Sequence, residues 1–556
     1  MKKQKKPEAN TNLKGQQHYK TAATHPQQEQ ALDSSTMAVL LLSNLLAVLP
    51  QQWHLMSFLP LLPVLLLSFI VLLTRSRDSS KKGMRLPPGP AQLPVLGNLH
   101  QLGPLPHRSL GELARQHGPV MLLRLGMART VVVSSAEAAR ELMKERDEDC
   151  CNRPGPPGPK RLSYGFKNVA FAPYGEYWRE MRKLFIVELL SMRRVKAAWY
   201  AREQQVDRLL GNLRSNGPKP VALNEHVFGV ADGIIGTVAF GNIYGTERFT
   251  YKHFQHVFDE AMDMLASFSA EDFYPNAAGR LIDRLTGLLG RRERIFKELD
   301  AFFETVIDQH MDPNRPVPEN GGDLVDVLIN LWKEHKGAFQ FTRDHVKAII
   351  MDTFVGGIDT TSVTILWAMS ELIRKPEVLK KAQEEVRAVV GNSKSRVQPE
   401  DMPKLTYLKN VVKETMRLHP PLTLLLPRQT MRDTTIGGYD VPARTRVFMN
   451  AWAIGRDPAT WTDAEDFSPD RFEARDVDFN GAHYELIPFG GGRRICPGLA
   501  MGAANVEFPL ANLLCCFDWT LPEGMKPEDV SMEEAGRLAF HRKEPLVLVP
   551  VACTTS

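Results

Sequence analysis

Phe489-Gly490-Gly491-Gly492-Arg493-Arg494-Ile495-Cys496-Pro497-Gly498 is the stretch on which the reading of this chain turns. The chain holds six cysteines, Cys150, Cys151, Cys496, Cys515, Cys516 and Cys553. They include two adjacent pairs and show no regular spacing, so a reducing compartment is expected rather than a disulfide framework. Only Cys496 stands in a setting that calls for a thiolate. A thiolate that ligates haem iron needs lowered basicity and exclusion of water, which close backbone amides and a helix N-terminus supply. Gly492 and Gly498 let the backbone approach, Phe489 is placed to cover the sulfur, Arg494 reaches a haem propionate, and Pro497 suits the first turn of a following helix. The competing reading is a buried cysteine in a Gly-rich turn; the fixed offsets of Phe, Gly, Arg, Cys and Gly weigh against it.

Upstream, Gly356-Gly357-Ile358-Asp359-Thr360-Thr361 falls inside a long helical pattern that starts near Arg343. Two glycines inside a helix cost about 1 kcal/mol each against alanine, so they need a reason. Room for a diatomic ligand is one, and close packing against another helix is the alternative. An acid followed by a hydroxyl at such a turn relays protons to bound dioxygen. Glu414 and Arg417 lie one helical turn apart, which alone signifies a solvated pair worth roughly 0 to 1 kcal/mol. They are followed by Leu418-His419-Pro420-Pro421 and, later, by Pro469-Asp470-Arg471-Phe472. Trp178 and Arg182 share one side of a helix beginning near Glu176, and Arg428 follows Leu424-Leu425-Leu426-Pro427.

From about Leu86 to Pro550 these motifs resemble, in order, those of the cytochrome P450 family. The resemblance implies a mainly α fold with small β-sheets and haem b as cofactor, with Cys496 as the axial ligand of the iron. It implies that Trp178, Arg182, Arg428 and Arg494 contact the propionates, that Asp359 and Thr360 are catalytic, and that Glu414, Arg417 and Arg471 form a buried cluster fixing the segment that delivers the cysteine loop. Asp470 stands where the family commonly has Glu, and Gln429 likewise. The substrate pocket it implies involves the loop from Ser163 to Phe171, the segment Phe268 to Tyr274, Phe354, Val355 and Gly356, Thr423 and Leu424 in the turn to Leu425, and Phe540 in the loop from Leu538.

Leu223 to Gly245, Ala266 to Arg280 and Lys526 to Glu534 resemble plant microsomal members of the family from grasses that act on aldoximes in cyanogenic glucoside synthesis. That likeness implies a monooxygenase taking 4-hydroxyphenylacetaldehyde oxime through a nitrile to a cyanohydrin, beside an upstream oxime-forming P450 and a glucosyltransferase. Composition and spacing by themselves point only to a haem-thiolate site. Hydroxylation of another small aromatic metabolite, such as an indole derivative, and a haem-thiolate sensor without turnover are the alternatives. Asp359 and Thr360 speak against the sensor, since ligand binding needs no proton relay.

The chain carries no flavin domain or nucleotide fingerprint, so NADPH is expected to act through a separate cytochrome P450 reductase. Arg179, Lys183 and Arg493 are candidates for its docking face. A net charge of +5 over 556 residues is too small to argue for nucleic acid. Residues 1–36 are polar and read as disordered. Residues 37–73 are apolar, and the charge-free run from Leu55 to Leu73 has the length of one bilayer span; a cleaved signal peptide fits less well, for want of a small-residue cleavage site. Residues 74–94 form a basic, Pro-rich hinge, in which Arg75, Arg77, Lys81, Lys82 and Arg85 set the catalytic domain, residues 95–556, on the cytosolic side of the endoplasmic reticulum membrane. The lysines near Met1 argue the opposite way, and a start at Met37 would resolve the conflict.

Overall fold

The computed structural model describes residues 83–553, apart from 242–250, 316–321, 335–338, 392–393 and 537. The polar extension, the apolar anchor and residues 74–82 of the basic hinge lie outside them. What is described of the hinge is packed: the Leu122 amide donates to the Pro88 carbonyl at 2.8 Å, and the Asn98 side chain donates to Ala91 at 3.1 Å. From Pro88 onward the Pro-rich stretch is therefore part of the catalytic unit.

Helices carry most of the described residues, and the strands gather into small sheets. Short apolar runs form β1 (Val120–Leu125) and β2 (Ala128–Val133), which pair antiparallel with Val120 opposite Val133. Helix α1 spans Glu176–Leu184 and then widens into a π-turn over Phe185–Leu189, so the helix expected to begin near Glu176 is not regular throughout. Helices α2 (Trp199–Asn216) and α3 (Leu223–Phe240) follow.

The helix expected from Arg343 to Ile373 is two: α4 (Arg343–Gly357) and α5 (Asp359–Arg374), with Ile358 between them. The break falls at the glycine pair, where the backbone is least constrained to helix. Helix α5 is almost wholly buried and packs against α3, α6 (Thr406–Leu418) and a late helix that follows the cysteine loop. Strand β3 (Arg428–Gln429) pairs antiparallel with β4 (Arg446–Met449), which runs parallel to β2; the sheet order is β1-β2-β4-β3. The late helix is α7 (Leu499–Cys516). Like the α4–α5 pair, it is apolar enough to cross a membrane, but 67% of its most apolar window is buried, which marks a core helix.

The expected charged cluster is assembled. Arg417 donates to both oxygens of Glu414, at 2.7 and 2.8 Å, and Arg471 Nε donates to Glu414 Oε1 at 2.9 Å. The remaining guanidinium hydrogens bind the carbonyls of Gly455, Ala464 and Asp466 from Arg417, and those of Thr462, Asp463 and Asp466 from Arg471. One buried carboxylate thus ties α6 to the irregular segment leading to the cysteine loop. Asp470 points out and pairs with Lys381, outside the cluster.

Candidate functional site

The cysteine loop closes on itself through the Cys496 amide, which donates to the Phe489 carbonyl at 2.9 Å. Gly492 holds φ at 60°, and a Cβ there would lie 2.3 Å from the Met143 carbonyl oxygen and 2.6 Å from a carboxylate oxygen of Asp147. No side chain fits. Asp147 is the hub of the loop: it accepts from Arg428 at 2.7 Å and from the amide of Arg493 at 2.8 Å. The sequence reading missed Asp147, which sits in an acidic run that carries no motif. Helix α7 begins at Leu499 with Gly498 as its cap, so Pro497 precedes the helix instead of occupying its first turn. Burial pushes the Cys496 thiol up, while the Gly498 amide and the Arg182 guanidinium pull it back toward ionisation.

Cys496 opens onto a cavity of about 290 Å³ that Arg153, Arg182, Arg428 and Arg494 also line. Arg182 donates to the Ile495 carbonyl at 2.6 Å. Arg494 donates to Cys151 at 2.8 Å and to Ala172 at 2.7 Å, and Arg153 donates to Ala170, Leu426 and Pro427 at 2.8 to 3.0 Å. Of these four arginines only Arg428 pairs with a carboxylate among the described residues. Burial lowers the other three, Arg494 to about 9 and Arg153 well below its ordinary value. Cations held out of water with only neutral partners call for anions. Two propionates beside a thiolate meet that demand, so the residues present fit haem. Arg153 is an addition that the sequence reading lacked; it stands in Asn152-Arg153-Pro154, a pattern too short to single out. Trp178 does not line the cavity, and its Nε1 donates to the Val169 carbonyl at 3.0 Å. Its ring lies 4.1 Å from Arg494 and 5.5 Å from Arg182, so it supports the arginines.

Across the cavity, Thr360 lines the wall and its hydroxyl donates to the Gly356 carbonyl at 2.6 Å. Asp359 is buried and is not on the wall, since one residue along a helix turns the side chain about 100°. The two glycines differ. A Cβ on Gly356 would meet nothing within 4 Å, whereas one on Gly357 would lie 2.5 Å from Cδ1 of Ile235 on α3. Gly356 gives room; Gly357 permits packing.

Of the expected pocket residues, Val355 and Gly356 line the cavity, and Phe354, Thr423, Leu424 and Phe540 do not. Phe354 faces the opposite side of α4 and stacks on Phe240 at 5.0 Å. Leu424 packs against the cluster of Leu110, Met121, Leu123, Leu125 and Val132, Phe540 packs on His107, and Thr423 is buried with its carbonyl accepting from the Trp452 amide at 3.2 Å. The rest of the apolar wall comes from Phe171, Leu425 and Leu538, which stand in the expected loop, turn and C-terminal loop, and from Leu422 and Leu426 beside them. Leu425 holds a left-handed φ of 52°, a conformation that costs a non-glycine residue of order 1–3 kcal/mol and clusters at functional sites. Asp352, also on the wall, accepts from the amides of Val169 and Ala170 and from Asn168, at 2.7 to 3.1 Å. Phe268 lies outside the cavity, exposed, and stacks on Phe273. Arg179, Lys183 and Arg493 are exposed as expected of a docking face, although Arg493 also reaches Asp147 at 3.2 Å.

Residues 87–549 match the cytochrome P450 family. The chain is 71% identical over 509 residues to 4-hydroxyphenylacetaldehyde oxime monooxygenase from Sorghum bicolor, covering 90% of this chain and 96% of that one. It is 52% identical over 507 residues to 2-methylbutanal oxime monooxygenase from Manihot esculenta, covering 91% and 98%. In fold it is similar to a zebra fish cytochrome P450 solved with abiraterone, with a TM-score of 0.69 at 24% identity, over 81% of this chain and all of the other.

Proposed function

The chain belongs to the cytochrome P450 family and is a monooxygenase, and on that premise we propose that it converts an aromatic aldoxime, 4-hydroxyphenylacetaldehyde oxime, to the cyanohydrin. The observation that carries this is the 71% identity, spread over 509 residues, to an enzyme named for that oxime. A second relative, at 52% identity, is named for an aliphatic oxime. The aldoxime group therefore rests on both relatives and the aromatic ring on the first. A wall of Phe171, Val355, Leu425, Leu426 and Leu538 suits a small ring.

Two reactions are involved. Loss of water turns the aldoxime into the nitrile and transfers no oxygen atom. Hydroxylation at the adjacent carbon then consumes dioxygen, two electrons and two protons, and releases water with the cyanohydrin. Haem ligated by a cysteine thiolate supplies the binding and reductive activation of dioxygen. Cys496 would be the ligand; burial pushes its thiol up, and the Gly498 amide and Arg182 offset part of that rise. Arg153, Arg182, Arg428 and Arg494 hold the propionates. The Thr360 hydroxyl leaves its bond to Gly356 to pass a proton into the cavity, and Asp359, behind the wall, replenishes it. Only hydroxylation needs this relay.

Electrons come from NADPH through a separate reductase docking at Arg179, Lys183 and Arg493. The apolar run in residues 37–73 anchors the chain in the endoplasmic reticulum. Exposed Leu93, Val95, Leu96, Phe268, Leu281, Ile282 and Leu285 are compatible with a lipid-facing surface, and Tyr274 joins the two groups by donating to the Val95 carbonyl at 3.2 Å. A glucosyltransferase would trap the cyanohydrin, and an oxime-forming P450 would supply the substrate. Membranes containing the protein and reductase, given NADPH and a panel of aromatic oximes and indoles, test the reading. Nitrile and cyanohydrin are the expected products, and turnover of indoles with no oxime consumed would overturn it.

A further inference from the structure

Arg202 on α2 is fully buried. Its Nε donates to Oδ1 of Asn505 at 2.8 Å, Nη1 donates to the Val195 carbonyl at 2.9 Å, and Nη2 lies 2.6 Å from the sulfur of Met501. The Trp199 ring lies 5.0 Å away. Every partner is neutral. Arg417, also fully buried, is by contrast gripped by both oxygens of Glu414. Burial alone pushes the Arg202 guanidinium down, to about 10, which leaves it charged at neutral pH. A buried cation without a counter-ion is costly, and a methionine would pack α2 onto α7 without that cost. Packing explains the size of this side chain and leaves its charge unexplained.

The position of the charge suggests what it acts on. Met501 and Asn505 belong to α7, the helix that follows Cys496, and both line the cavity. Arg202 stands behind that part of the wall, whereas Arg153, Arg182, Arg428 and Arg494 face the cavity directly. We infer that Arg202 sets the reduction potential of the site: its fixed positive charge, behind the wall on the Cys496 side, favours the reduced state of a haem held there. The inference rests on Cys496 being the iron ligand. In the step concerned, one electron enters from a flavoprotein reductase, or from dithionite in a titration, and no bond forms or breaks. The site gains one negative charge, and a cation in a wall of low dielectric stabilises that state.

The test is a spectroscopic redox titration of the full-length holoenzyme with dithionite, for wild type, Arg202→Gln, Arg202→Lys and Asn505→Asp. Arg202→Gln should shift the potential negative, and Arg202→Lys should stay close to wild type. Asn505→Asp, which sets a carboxylate against the guanidinium and so does not depend on tolerating a lost cation, should also shift it negative. A haem-loaded Arg202→Gln at the wild-type potential overturns the inference, as does Arg202→Lys shifting as far as Arg202→Gln. If Arg202→Gln loses haem, an unmoved potential in Asn505→Asp overturns it on its own, because a unit charge at this place then does not reach the iron. The reduced carbonyl spectrum, recorded on the same samples, tests the thiolate reading separately; its red-shifted band should persist in all four proteins.

Discussion

The two glycines between α4 and α5 should respond oppositely to one and the same substitution. A Cβ at Gly356 has open space, while one at Gly357 falls 2.5 Å from Cδ1 and 2.8 Å from Cγ1 of Ile235. Favourable carbon contacts lie at about 3.5–4.0 Å, so Ile235 would have to retreat by about 1 Å. It is buried, and its β-branched side chain has few alternatives at χ1. Alanine gains about 1 kcal/mol over glycine inside a helix, and overpacking costs about 1–3 kcal/mol. Gly356→Ala should therefore stabilise the protein by about 1 kcal/mol, and Gly357→Ala should be neutral to destabilising by about 2 kcal/mol. Denaturant unfolding of purified holoprotein, with haem content followed in parallel, measures the difference. In an Ile235→Ala background, itself destabilised by about 2–5 kcal/mol, Gly357→Ala should become stabilising, because its obstacle is gone. Equal stability of the two alanine variants, or no change of sign in that background, refutes the assignment of Gly357 to packing. The methyl of Gly356→Ala enters the cavity, so spectral titration should show weaker oxime binding by that variant alone.

Cys496→Ser should abolish the red-shifted Soret band of the reduced carbonyl complex, and serine at the other five cysteines should preserve it. Thr360→Ala should keep haem and oxime binding but divert reducing equivalents to peroxide, so that nitrile accumulates at the expense of cyanohydrin in product analysis; unchanged coupling of NADPH to cyanohydrin contradicts the relay. Glu414→Gln leaves Arg417 buried without its anion, a loss of about 3–5 kcal/mol that should appear as a lowered unfolding midpoint and faster haem release. Burial raises the Asp352 carboxyl to about 6, above an unfolded value of about 3.9. Its contribution to stability is therefore complete below pH 4 and lost as pH rises through 6, and Asp352→Asn should flatten the unfolding free energy across that window. Only the ionised form accepts freely from Val169, Ala170 and Asn168, so wild-type oxime affinity should improve from pH 5 to 7, and a flat profile would contradict this.

Sequence made the cysteine loop legible because it depends on fixed local offsets between residue types that have few other reasons to occur together, whereas the Glu414–Arg417–Arg471 cluster was legible only through the family resemblance, since Arg471 lies 57 positions from Glu414. Their partners were harder to see. Asp147 earns its place only because Gly492 brings the loop backbone against it, a contact that joins residues hundreds of positions apart and leaves no mark on the residues around Asp147. Arg153 and Arg202 have ordinary sequence neighbourhoods; what makes them unusual is burial without a counter-ion. The cavity wall was legible only in part, for another reason. Phe354 belongs to the right turn of the right helix, but one residue of helical phase separates the side that faces the cavity from the side that faces Phe240.

The Gly356-Gly357 pair shows how far pattern reasoning reaches. Two explanations for helical glycine stood open in the sequence, room for a small ligand and close approach of a second helix, and they looked like rivals for one motif. The structure assigns one to each glycine: Gly356 opens into the cavity, and Gly357 meets Ile235. The second role supports the first. By letting α3 close onto the break, Gly357 holds the end of α4 at the point where Thr360 and Gly356 share a hydrogen bond across the cavity wall. A bulkier residue at Gly357 would push α3 and α4 apart and move the Thr360 hydroxyl without touching it. The site thus depends on a contact between α3 and α4 that borders the cavity itself.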